Sequence, residues 1–127
     1  MKNVLFVVLV SCSLLIGCGH SADGGIVTAR DVLKTDKNAD ILKFGGRIYS
    51  NVTHLEWFIE KELDYITGEK IGEIKKVTSV SLFFTNYSAT KLVKGTALYE
   101  INGGDNGYIL VELENGEILY YMELLEG

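Results

Sequence analysis

Three runs of alternating apolar and polar residues in the C-terminal third constrain the fold more than any other feature of the sequence. They span residues 96–101, 108–113 and 117–124, and stretches rich in glycine and asparagine separate them. Alternation with a period of two is typical of a strand with one buried face, and Asn-Gly between two such runs strongly indicates a hairpin. The sequence therefore predicts an antiparallel meander of three strands.

The pair Asn115-Gly116 predicts the register of the last two strands. A two-residue type I′ turn would place Leu113 opposite Ile118, with residues 109, 111 and 113 on the core side. The other side would carry acidic residues around a possible partner-binding face made of Tyr108, Leu110, Leu119 and Tyr121. Because monomeric proteins seldom expose a large apolar patch, we expect either a helix of the chain, such as residues 29–34, or a partner to cover this face.

Further elements are expected upstream. Residues 41–44 and 47–50 are predicted to pair around a Gly45-Gly46 turn, and Thr28 with Asp31 resembles a capping box before a short helix over residues 29–33. The patterns predict a strand over 71–77 and a strand or loop over 80–84, whereas residues 52–63 fit a helix or a strand equally well. The expected fold class is mainly β (α+β), a small antiparallel sheet or open barrel with one or two short helices.

The N-terminus predicts export. A single basic residue, Lys2, precedes an apolar stretch of signal-peptide length that ends in Leu15-Ile16-Gly17-Cys18. This ending resembles the lipobox of bacterial lipoproteins. The resemblance implies cleavage before Cys18, which would become a diacylated N-terminus, and an anchor at the extracytoplasmic face of the cell membrane. Two acyl chains suffice for stable anchoring, whereas one does not.

The lipobox resemblance implies that the chain has three parts. Residues 1–17 are the expected signal peptide, 18–25 the lipidated cysteine with a flexible tether, and 26–127 a single small β-rich domain. Stretches such as residues 46–51, 68–74 and 90–100 are similar to small uncharacterised lipoproteins of Bacillus-like bacteria. That similarity implies location and no activity.

Charge and cysteine content exclude several classes of protein. The chain has 12 Lys and Arg against 17 Asp and Glu. Without Lys2 the balance is 11 against 17, a net charge of −6, so we expect no nucleic-acid partner. Cys12 would leave with the signal peptide and Cys18 would carry lipid, so no thiol would remain for a disulfide, a nucleophile or a metal.

No residue pattern predicts catalysis or a cofactor. His20 and His54 are the only histidines, too few for a zinc site. Residues 36–40 begin like a calcium loop, but Ile41 and Arg47 replace its required glycine and glutamate. Residues 102–107 are interpreted as a turn. Glu60, Glu62 and Asp64 could supply the two carboxylates of a glycosidase-like site, but they are interpreted as a solvated charged segment.

These observations predict a non-enzymatic binding or interaction module that contacts an unknown protein or envelope ligand. The alternatives are a small carboxylate-based hydrolase of the envelope, or an accessory subunit or inhibitor in a surface complex. The aromatic residues, Trp57 among them, could form a binding platform or simply pack in the core.

Overall fold

The structure is a computed structural model that describes residues 26–61, 65–101 and 107–126. In these ranges it contains eight strands, two short α-helices and one 3₁₀ turn. The helices are α1 (Ala29–Thr35) and α2 (Glu56–Glu60), and the 3₁₀ turn is Ser81–Phe83. The strands are β1 (Ile41–Phe44), β2 (Arg47–Asn51), β3 (Thr67–Glu73), β4 (Lys76–Val77), β5 (Ser88–Ala89), β6 (Ala97–Ile101), β7 (Tyr108–Glu112) and β8 (Ile118–Glu123). The expected mainly β class with short helices is confirmed.

All eight strands belong to one curled sheet with the order β3-β6-β7-β8-β2-β1-β5-β4. The predicted β6-β7-β8 meander and β1-β2 hairpin are both present, and every pair is antiparallel except β4 with β5. The two edge strands, β3 and β4, are consecutive in the chain. Between them, the Ile74 amide donates to the Thr96 carbonyl at 2.9 Å and the Lys75 amide donates to the Tyr87 carbonyl at 2.8 Å. The sheet is therefore a half-barrel whose two edges are joined by residues 74–75.

The predicted register of β7 and β8 is wrong by one residue. Leu110 lies opposite Tyr120, and the Leu113 amide donates to the Glu117 carbonyl at 2.9 Å. The Gly116 amide donates back to the Leu113 carbonyl, and Gly116 has φ +88°. This is a three-residue loop, a type I turn followed by a left-handed glycine, instead of the expected two-residue turn. One additional loop residue moves every side chain of β8 to the other face.

The two faces of the sheet are covered differently. The inner face holds the larger core cluster, which draws on strands from both ends of the sheet: Leu42, Tyr49, Ile74, Ala89, Leu92, Leu98, Ile109, Val111, Leu119 and Tyr121. On the outer face, α1 and the 3₁₀ turn cover Ile41 and Ile48 through Ala29 and Phe84. Helix α2 covers the outer face farther along, over β7 and β8.

Helix α1 forms where the capping box was predicted. The Asp31 amide donates to Thr28 Oγ1 at 3.2 Å, and the Thr28 amide donates to the Asp31 carboxylate at 3.1 Å. Hydrogen bonds from the Thr28 side chain and backbone lower the pKa of Asp31. The sequence pattern alone predicts the start of this helix, because Thr28 and Asp31 lie within one helical turn of each other.

The middle of the chain differs from the predicted elements. The undecided segment contains the single-turn helix α2, in which Phe58 is the only buried residue. The strand predicted over residues 71–77 is broken at 74–75, where the chain passes from one edge of the sheet to the other. Residues 80–84 contain the 3₁₀ turn and no strand.

Candidate functional site

The four residues of the predicted partner-binding face lie on two different faces. Tyr108 and Leu110 are on the outer face, whereas Leu119 and Tyr121 belong to the inner core. Leu110, Leu119 and Tyr121 are buried, and Tyr108 is half-buried. The shift in register explains the division, because it exchanges the two sides of β8.

A cluster of aromatic rings lies on the outer face where that patch was expected. Phe58 from α2 packs 5.9 Å from Tyr108 and 5.2 Å from Tyr120, measured between ring centroids. Tyr65 completes the cluster, stacked on Phe58 at 6.0 Å and 5.2 Å from Tyr108. We call Phe58, Tyr65, Tyr108 and Tyr120 the ring cluster. The chain thus covers Tyr108 itself, with α2 in place of the expected residues 29–34.

Four large apolar side chains on or beside α2 and just before β3 face solvent. They form what we call the aromatic shelf, and their exposed fractions are 44% for Leu55, 41% for Trp57, 58% for Ile59 and 71% for Ile66. The Trp57 ring meets Phe58 edge-on at 6.0 Å, and Lys61 Nζ lies 5.2 Å from the Trp57 ring centroid. These contacts hold Trp57 in place on the surface, so its exposure is a property of the fold.

Charged residues lie among the apolar side chains of the shelf. Glu56, Glu60 and Lys61 are all exposed on or beside α2. Exposed apolar and aromatic residues beside charged ones occur in protein interfaces, where tryptophan is enriched among the residues that contribute most binding energy. The shelf is therefore the strongest candidate binding surface in the described part of the chain.

The sequence identified Trp57 as a possible member of an aromatic binding platform, but it did not identify the other three members of the shelf. Leu55 and Ile59 lie in the segment whose secondary structure was left open, and Ile66 precedes β3. In a helix over residues 56–60, Leu55 and Ile59 are four residues apart and lie on one flank, whereas Trp57 lies on the other flank. The helical alternative for residues 52–63 was the one signal that could have identified them.

Two shallow grooves lie elsewhere on the domain. One, of about 540 Å³, runs between residues 93–97 and the β7-β8 turn, and Lys94, Glu112 and Glu114 are among its lining residues. The other, of about 400 Å³, is mostly apolar and lies between Tyr108 and residues 122–125. Both are open to solvent.

A partly buried polar network connects Asp40, just before β1, to β8. The Tyr121 hydroxyl donates to Asp40 Oδ1 at 2.7 Å, and Asn51 Nδ2 donates to Asp40 Oδ2 at 2.9 Å. Asn51 Oδ1 accepts from the Thr53 hydroxyl, which in turn accepts from the Tyr120 amide. Burial, reinforced by the hydrogen bond to Asp40, raises the pKa of Tyr121 far above its ordinary value of 10. The network satisfies a buried phenol and a carboxylate together, which is a structural role.

Several of the residues considered for catalysis or metal binding lie outside the part of the chain that the structure describes. His54 and Glu60 are exposed, whereas His20, Glu62, Asp64 and residues 102–106 lie outside the described ranges. Asp36 Oδ1 accepts from the Asn38 amide at 2.9 Å, as in an Asx turn. Among described residues, no group of three or more His, Cys, Asp or Glu side chains could hold a metal ion.

Cys18 and the predicted signal peptide also lie outside the described ranges. Within those ranges, neither helix has the length and apolar character that crossing a membrane requires. Comparison of the chain with known protein families, with curated proteins and with solved structures finds no match.

Proposed function

We propose that this chain is a lipid-anchored protein at the extracytoplasmic face of the cell membrane, and that its β domain is a non-enzymatic module that binds another envelope protein. The lipobox-like residues 15–18 support the anchor. The observation that carries the binding role is the aromatic shelf, in which Trp57 is held at the surface by its contacts with Phe58 and Lys61.

The shape of the shelf favours a protein over a small molecule. Small ligands bind in concave pockets that enclose most of their surface, whereas the shelf projects from a single-turn helix. A partner that covers α2 would desolvate Trp57 on one flank of the helix and Leu55 and Ile59 on the other. The charges of Glu56 and Glu60 between these flanks would contribute to the choice of partner.

Crosslinking in cells tests the binding role. We expect a photo-crosslinker at position 56 of the full chain to capture one defined envelope protein, and Trp57→Ala together with Ile59→Ala to abolish that capture. Val93→Ala, at a residue exposed by 63% on another part of the domain, is the matched control and should retain it. Unchanged capture by the double variant, with its urea unfolding midpoint also unchanged, would refute the shelf as the binding surface.

The anchor is tested separately. Labelled palmitate should attach to the full chain and be absent from Cys18→Ser, because the substitution removes the thiol on which the thioether forms. Equal labelling of the two proteins would exclude Cys18 as the acylated residue.

A further inference from the structure

A second exposed apolar surface lies beside β4, the edge strand that residues 74–75 join to β3. Val77, Val80, Leu82 and Phe83, which we call the apolar tip, are exposed by 47%, 50%, 82% and 56%. The tip is well anchored, because the next residue, Phe84, is buried in the outer core with Ala29. Lys76 Nζ donates to the Phe83 carbonyl at 3.2 Å, and the Phe83 amide donates to the Val80 carbonyl at 3.1 Å.

The charges of the domain are separated along the chain. Residues 74–99, which include the tip, contain four lysines and no aspartate or glutamate, whereas residues 100–126 contain seven acidic residues and no lysine or arginine. Lys75 and Lys76 directly precede Val77. At physiological salt a charge is screened beyond about 8 Å, so a surface that meets the tip responds to Lys75, Lys76 and the nearby charges of Glu73 and α1 more than to the net negative charge of the domain.

The start of the domain lies beside the tip. Helix α1 packs against the 3₁₀ turn that carries Leu82 and Phe83, and it begins three residues after Ile26. Eight peptide units separate Cys18 from Ile26, and these span roughly 28 Å at full extension. A lipid on Cys18 would therefore keep α1 and the apolar tip close to the bilayer.

We infer that the apolar tip inserts into the headgroup region of the anionic bilayer that holds the Cys18 lipid, with Lys75 and Lys76 against the anionic headgroups. This inference rests on the proposed anchor. Exposed aliphatic and aromatic side chains beside lysines are the combination that binds membrane interfaces. Along the sheet, β5, β1 and β2 lie between β4 and β8, the strand beneath α2. The insertion therefore leaves the shelf free for a partner.

Fluorescence quenching by brominated lipids tests the insertion. The full chain carries one tryptophan, Trp57, and a variant with Trp57→Phe and Phe83→Trp moves that single probe to the tip. Phe83 is exposed, so the exchange should not disturb the core. Both proteins are purified from membranes and reconstituted into vesicles of phosphatidylcholine and phosphatidylglycerol whose acyl chains are brominated.

We expect the probe at position 83 to lose most of its fluorescence and Trp57 to lose little. A lysine near an anionic surface increases membrane association by about fivefold, so Lys75→Gln and Lys76→Gln should each lower the docked fraction accordingly. Lys61→Gln, at an exposed residue beside α2 and away from the tip, serves as control and should leave the quenching at position 83 unchanged.

Equal quenching at positions 57 and 83 would overturn the insertion. Palmitate labelling of the same preparation separates this result from a failure of the anchor. An unlabelled chain would refute the acylation of Cys18, while the ratio of quenching at the two positions would still decide whether the tip meets lipid.

Discussion

Tyr121 is the residue on which the inner core and the polar network meet. Its ring is fully buried among the inner-face side chains, while its hydroxyl reaches Asp40 at the start of β1. The Tyr121 side chain therefore links β8 to the residue that precedes β1. A buried hydroxyl that donates to a carboxylate contributes on the order of 1.5 to 3 kcal/mol to folding, more than a neutral pair.

The titration of Tyr121 should make stability fall at alkaline pH. Burial raises the pKa of Tyr121 in the folded protein, so above pH 10 the unfolded chain releases a proton that the folded chain retains. The free energy of unfolding should then decrease by about 1.4 kcal/mol per pH unit from this group. Below pH 10 its contribution is constant. Urea unfolding of the native protein and of Tyr121→Phe, followed between neutral and alkaline pH, measures the difference.

Tyr121→Phe should start from a lower stability at neutral pH and show a smaller loss above pH 10. Tyr49, whose pKa burial also raises, is present in both proteins, so its contribution cancels in the comparison. Parallel pH profiles for the two proteins would mean that Tyr121 ionises as readily in the folded state as in the unfolded one.

Among the structural elements, the β7-β8 loop has the largest effect on which side chains are buried. In a type I′ turn both Asn115 and Gly116 would need positive φ, but Tyr87 is the only described non-glycine residue with positive φ. Asn115 instead accepts a hydrogen bond from the Glu117 amide at 2.9 Å through its side chain. The extra residue in the loop places Leu119 and Tyr121 inside the half-barrel, where the two-residue turn would have placed Tyr120.

Gly116→Ala should destabilise the domain by about 1 to 2 kcal/mol, because a Cβ disfavours the left-handed conformation at φ +88°. No described atom lies within 4 Å of a Cβ at this position, so the cost is conformational. Gly116→Asn should cost less, since asparagine tolerates this region. Glu114→Ala in the same loop is the control. Urea unfolding of the three variants gives the order, and equal losses for alanine and asparagine would argue against a left-handed Gly116.

At the scale of the whole molecule, the half-barrel depends on a close contact between Gly72 and Tyr87. Tyr87 has φ +68°, its ring packs 5.8 Å from Phe44, and its amide donates to the Lys43 carbonyl at 2.7 Å. Its carbonyl also accepts from Lys75, just past the end of β3. A Cβ at Gly72 would overlap Cε1 of this ring. Glycine at position 72 therefore lets the β3 edge approach the β1-β5 side of the sheet.

Gly72→Ala should destabilise the domain by about 1 to 3 kcal/mol more than Gly95→Ala, because overpacking is added to the cost of positive φ. Gly95 has φ +93° and no atom within 4 Å of a Cβ, so it measures the conformational cost alone. In a double-mutant cycle, Tyr87→Ala should remove most of the extra loss. Thermal unfolding of the wild type, Gly72→Ala, Tyr87→Ala and the double variant measures the coupling free energy. Additive effects would show that the two residues are not coupled.

The candidate site was predictable only in part. Trp57 is conspicuous in the sequence as a single tryptophan, but its neighbours on the shelf depend on a five-residue helix with one buried side chain, Phe58. An isolated helix of this length is unstable in water, so its formation depends on packing against Tyr108 and Tyr120. Tyr108 and Tyr120 lie about 50 and 60 positions from Phe58 along the chain, beyond the reach of a local sequence pattern.

The sequence by itself determined the local features of this protein. Alternation placed β6, β7 and β8, two adjacent glycines placed the β1-β2 turn, and Thr28 with Asp31 placed the start of α1. Each of these signals acts between residues a few positions apart. Only the tertiary structure decided the face of β8 that is buried, the helix at residues 56–60 and the joining of β3 to β4. Those features depend on contacts between distant segments, where a difference of one loop residue exchanges the inside and the outside of a strand.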